Sequence, residues 1–164
     1  MFVLGIDPGL TRTGYGIVES SGGTTRAVTA GVIRTDAGAT MAQRLMELGA
    51  DIEAVLDDYP IDAAAIEQVF INRNRTTAVA VARASGVILA TIASRGVSVA
   101  EYTPSQMKLA ITGSGSADKE QIATVLAMRL GLSKISGPAD AADALGIAVC
   151  HLQNSGRRIA GRSA

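Results

Sequence analysis

The chain has 164 residues and 16.7 kDa, the size of one domain, and it is 48% hydrophobic and 18% charged, which excludes a disordered segment. A single Cys (Cys150) and a single His (His151) exclude a disulfide framework, a thiolate metal cluster and the usual His-rich zinc sites. Fifteen basic residues balance fifteen acidic ones, so net charge does not mark a nucleic-acid binder, although twelve of the cations are Arg, the residue suited to forked phosphate contacts.

The first apolar run, Phe2–Asp7, is closed by Pro8-Gly9 and is expected as a buried strand followed by a turn. Gly14–Glu19 and Thr24–Arg34 flank Ser20-Ser21-Gly22-Gly23, which predicts an antiparallel hairpin. Met41, Leu45, Leu48, Ile52 and Val55 recur at helical spacing, so a helix is expected over about 40–57, ended by Tyr59-Pro60. Ile61–Val69 is the next expected strand. Thr76–Ser94 is rich in Ala and Val and apolar on more than one face, which predicts a helix buried on two sides. Residues 97–102 form a fifth strand. Thr103-Pro104 caps and opens a short helix to about Ile111. Asp118 starts another helix, with Ile122, Val125, Leu126 and Leu130 inward, ended by Gly131. Gly137-Pro138 opens the last helix, to about Gln153. The order β-β-β-α-β-α-β-α-α-α implies an α/β fold with a mixed sheet covered on both faces. Residues 1–155 are expected as one domain and 156–164 as a basic, fraying tail. No apolar run reaches about 18 residues, so no membrane span is expected. The start carries no secretory signal pattern, and the expected location is cytoplasmic.

Four carboxylates stand out. Asp7 ends an apolar strand; its plain alternative is a turn-former before Pro-Gly. Glu67 lies among small and apolar neighbours, where a Glu is rarely buried unless paired or bound; the alternative is an outward-facing strand position. Asp140 and Asp143 are spaced i, i+3, which puts them on one helix face near its start, where helix-end charge compensation is the alternative reading. The Ala residues around them would let another group approach closely. Carboxylates without His or Cys suit hard divalent cations such as Mg²⁺ or Mn²⁺. Two such ions can clamp an in-line phosphoryl displacement, which predicts phosphodiester hydrolysis without a covalent enzyme intermediate. Sequence alone does not bring the four together. The chain carries no GxxxxGK[ST] loop, no GxSxG and no CxxC.

The segments GIDPGLTRTGYG (5–16), AIEQVF (65–70), TGSGSADK (112–119) and PADAADALGIAVCH (138–151), in this order through essentially the whole chain, resemble the RuvC family of bacterial Holliday-junction resolvases. The resemblance implies a ribonuclease H-like fold with a five-stranded mixed sheet flanked by helices. It implies a homodimer that cuts two opposed strands of a four-way DNA junction symmetrically, in recombination and repair. By the same resemblance Asp7, Glu67, Asp140 and Asp143 are the catalytic, metal-binding acids, holding Mg²⁺ (or Mn²⁺), two ions per site. The family accepts Asp or His at the Asp140 position. Phe70 matches an aromatic that wedges against unpaired bases at the junction; its alternative role is in the core. Lys108 and Lys119 match basic residues that face DNA, and Arg73 and Arg75 lie in a stretch that aligns with a loop able to hold phosphates. The apolar helix 76–94 corresponds to the family's dimer interface, and the branch-migration proteins RuvA and RuvB are implied partners. Competing readings are a YqgF-like nuclease of the same fold, an actin- or sugar-kinase-like ATPase, which needs two such domains, and a non-catalytic binder of branched DNA.

Overall fold

Alternation along the central strands decides what each face of the sheet carries. In the computed structural model, which describes residues 1–69 and 75–160 (Arg75 and the last five by backbone alone), strand β1 spans Phe2–Asp7. Its Val3 joins one hydrophobic cluster, and its Leu4 and Ile6 join another on the opposite face. β2 (Arg12–Ser21) and β3 (Thr24–Arg34) complete an antiparallel meander with β1. β4 (Ala63–Glu67) pairs parallel with β1, and β5 (Ser98–Tyr102) pairs parallel with β4. The sheet order is β3-β2-β1-β4-β5. This is the expected five-stranded mixed sheet, with every expected element present in the expected order.

Helices cover the two faces differently. Helix α1 (Met41–Asp58) and helix α2 (Arg75–Ser94) pack on the face of Leu4, Ile6, Ile17, Ala64 and Ile66, through Leu48, Ile52, Ile88 and Ile92. Thr40 caps α1: its side chain accepts from the Gln43 amide while the Gln43 side chain reaches back to the Thr40 amide. Helices α3 (Pro104–Thr112), α4 (Lys119–Arg129) and α5 (Ala139–Ala160) cover the other face. Thr103 and Asp118 make the same reciprocal cap for α3 and α4, with Gln106 and Gln121. α5 runs on to Ala160, past the expected end near residue 153.

Helix α2 is buried along one side, where Ala84, Ile88 and Ile92 are inaccessible, while Val79, Ala82, Gly86, Ala90 and Ala93 are exposed in the single chain. It departs from one expectation: its Thr76–Ser94 stretch, with a mean hydropathy of 1.6, is long and apolar enough to cross a membrane by length and composition, contrary to the sequence reading. Ser, Thr, Gly and Arg83 interrupt any continuous apolar run, but Ala, Val, Ile and Leu carry the average.

α5 lies unusually close to the sheet. A Cβ on Gly5 would collide with the Ala144 carbonyl oxygen and the Ala148 amide, and a Cβ on Gly14 with the Asp140 carbonyl. Two strand positions without side chains thus let the α5 backbone rest on β1 and β2. On the helix side, Ala141, Ala144 and Ala148 are the buried partners. The group that the small Ala side chains admit is the sheet itself.

Candidate active site

Period two along the strands places the first two acids. Val3, Gly5 and Asp7 share one face of β1; Ala63, Ala65 and Glu67 share the same face of β4. The strands are parallel neighbours, paired through Ile6 and Ile66, so Asp7 and Glu67 stand side by side one step further on. Both sit at carboxyl ends of adjacent parallel strands, where ligands of open α/β sheets bind. The first turns of α5 lie over the same end. Asp140 is held against β2 by the close approach at Gly14, and Asp143 follows one turn further along α5.

The acids act on one another through their charges. Burial pushes the Asp7 carboxyl up from 3.8 to about 7, helped by repulsion from Glu67, Asp143 and Asp140 and opposed by Lys119. Glu67 is raised by burial and by Asp143. Asp143 is raised by burial, lowered by Lys119 and raised by Asp140. Asp140 makes a different contact: Arg12 Nε, from the start of β2, donates to Asp140 Oδ2 at 2.7 Å. Among the described residues no three Asp, Glu, His or Cys side chains are grouped closely enough to hold a metal ion. Asp140 is engaged by Arg12. The donor chemistry, four carboxylates and no soft ligand, still suits a hard divalent ion, whose charge would relieve the mutual repulsion.

The other expected site residues divide. Lys119 opens α4 and acts on Asp7 and Asp143. With Asp143, Ile122, Leu126 and Ala139 it lines a cavity of about 200 Å³ beside the acids. Lys108 is half-buried on α3 and is not among the charges acting on Asp7, Glu67 or Asp143. Phe70 and Arg73 lie outside the described residues, as does the side chain of Arg75. His151 lies within α5 rather than at its end, with Nδ1 3.1 Å from the Tyr102 hydroxyl oxygen. Cys150 is buried, which pushes its thiol up to about 11.

Sequence reading missed Arg12. Its signal was present: a charged residue opens a strand five positions after Asp7, directly opposite Arg34 on β3. It missed Arg44 as well. From α1, Arg44 Nε donates to Thr35 Oγ1 at 3.0 Å and a terminal nitrogen to Thr11 Oγ1 at 2.7 Å, while the Thr35 hydroxyl donates to the Leu10 carbonyl. These bonds brace the turn that follows Asp7.

Residues 3–151 match the family model described as crossover junction endodeoxyribonuclease RuvC. A protein of that description from Syntrophomonas wolfei is 47% identical over 154 residues, covering 94% of this chain and 90% of the relative. One from Leifsonia xyli is 52% identical over 157 residues, covering 94% of this chain and 74% of the relative. A solved structure of the Thermus thermophilus protein in complex with a Holliday junction substrate superposes with a TM-score of 0.89 at 35% identity, covering 94% of each chain.

Proposed function

Since the chain belongs to the RuvC family of crossover junction endodeoxyribonucleases, a family of metal-dependent nucleases, we propose that it resolves four-way DNA junctions by paired, symmetric phosphodiester hydrolysis. What supports this is that Asp7 and Glu67 end paired parallel strands and Asp143 acts electrostatically on both, with all three raised by burial. Burying repelling acids costs stability, and catalytic sites are where such arrangements recur.

In this reading Asp7, Glu67, Asp140 and Asp143 hold Mg²⁺, with Mn²⁺ as a substitute and two ions per site. Bound there, the ions supply Lewis-acid charge to the phosphodiester and lower the pKa of water. The chain's own contribution is position. Asp7 and Glu67 are fixed on paired central strands, and Asp143 on a helix seated against them. Lys119 adds positive charge beside the acids. Phe70 at the junction centre, with Lys108, Arg73 and Arg75 on phosphates, completes the DNA contacts proposed from the family resemblance.

A homodimer fits a junction of near two-fold symmetry. The exposed Val79, Ala82, Gly86, Ala90 and Ala93 face of α2, flanked by Met46 of α1, supports that helix as its interface. RuvA and RuvB as partners and action in the cytoplasm belong to the same proposal. One assay tests the whole: a synthetic four-way junction beside a linear duplex of the same sequence, in Mg²⁺, Mn²⁺ or EDTA. Paired symmetric nicks in the junction alone, lost in EDTA, are expected. Equal cutting of both substrates would favour a less selective nuclease of the same fold.

A further inference from the structure

We propose that Arg12 is a movable counter-charge, which neutralises Asp140 in the free protein and passes to a DNA phosphate when the junction docks, releasing Asp140 for the metal ion. The inference rests on the reading of the four acids as metal ligands and of DNA as substrate. Its starting point is the 2.7 Å Arg12–Asp140 contact, which joins residues 128 positions apart. Among the described residues only Nε of the guanidinium is engaged, which leaves the terminal nitrogens for a second acceptor. The pair is partly exposed, with 42% of the Arg12 side chain and 31% of the Asp140 side chain accessible. Ion pairs in such positions are weak and exchange readily for a better partner.

A better partner is a phosphate, which takes a guanidinium in a forked, two-point geometry. Arg12 is also poised for one. It stands directly opposite Arg34 across the β2–β3 ladder, and like charges in that relation are unfavourable unless an anion joins them. Arg34 is exposed and forms no ion pair among the described residues. Two guanidinium groups on one side of the sheet, beside the acids, therefore match a backbone phosphate. Arg12 is a positioning residue: it acts on the site through Asp140.

The test uses the full chain and two readouts that need no cutting. Mn²⁺ binding without DNA is measured by titration calorimetry, and junction binding in EDTA is followed against salt. Arg12→Ala is expected to bind Mn²⁺ about tenfold more tightly than the parent, the size of an ordinary coupling between sites. It is also expected to bind the junction more weakly, with a salt slope shallower by about one. Arg34→Ala removes a neighbouring charge without touching Asp140, so it should shift junction binding and leave Mn²⁺ affinity near the parent's. Unchanged or weaker Mn²⁺ binding in Arg12→Ala would overturn the inference. So would equal tightening in Arg34→Ala, or unchanged junction binding in Arg12→Ala. Asp7→Asn separates the two levels. If it binds Mn²⁺ as the parent does, the metal reading has failed and this inference with it. If it loses Mn²⁺ while Arg12→Ala changes nothing, the role of Arg12 alone falls.

Discussion

The two faces of the sheet solve the packing problem in opposite ways. On the α1–α2 face, Leu4, Ile6, Ile17 and Ile66 meet Leu48, Ile52, Ile88 and Ile92, large side chains that fill volume. On the α5 face, Gly5 and Gly14 meet the α5 backbone itself beside Ala141, Ala144 and Ala148. The first arrangement contributes burial, and a missing methyl group is tolerated at moderate cost. The second leaves no slack. It fixes the height of α5 over the strand ends, and so where Asp140 and Asp143 stand relative to Asp7 and Glu67. Where α5 carries the charge, the contact is made through the smallest residues, because a backbone contact has fewer ways to relax than a side-chain contact, while Leu145, Ile147 and Leu126 fill volume elsewhere on that face.

The comparison can be broken most sharply at its charged end. Asp7→Asn should cut junctions at least about 10²–10³-fold more slowly, the scale of losing one charge-stabilising group, while junction binding in EDTA persists. Cutting at the parental rate would remove Asp7 from the chemistry. Gly5→Ala should come next. Its Cβ meets backbone that cannot turn aside, so overpacking should cost about 1–3 kcal/mol in denaturant unfolding. The same variant should cut poorly even where it is folded, because α5 must move away from β1. Normal cutting by a folded Gly5→Ala would show that the acids tolerate displacement. Ile88→Val, on the other face, should lose about 0.5–1.5 kcal/mol and keep its cutting rate. If it lost activity in step with Gly5→Ala, the functional contrast between the faces would disappear.

The charged end can also be sharpened by pH dependence without metal. Folding raises the Asp7 carboxyl from 3.8 to about 7, so the folded state holds that proton more tightly than the unfolded state. The resulting stabilisation is complete below about pH 4 and is lost as pH rises through about 7. Glu67 and Asp143 are shifted in the same direction and add to the trend. In EDTA the urea midpoint should therefore fall across that range, and Asp7→Asn should flatten the fall. An identical profile in Asp7→Asn would mean that the acid cluster is not the source.

Much of this was legible in the chain because it depends on near neighbours. Alternation in FVLGID and AAAIE set which side of each strand carries Asp7 and Glu67. Thr103-Pro104 and Asp118 marked helix starts through contacts made within one turn. The i, i+3 spacing put Asp140 and Asp143 on one helix face before any neighbour was known. What the neighbours would be depended on the tertiary structure. It brought α5 over the ends of β1 and β4, turned Gly5 and Gly14 into close-contact positions, and paired Arg12 with Asp140. It also decided which face of α2 packs on the sheet and which is left exposed in the single chain. The physical reason is one of range. Steric preference, capping and periodicity act within a few residues. A contact between Arg12 and Asp140 exists only once the sheet order and the seating of the last helix have closed the long loop of chain between them.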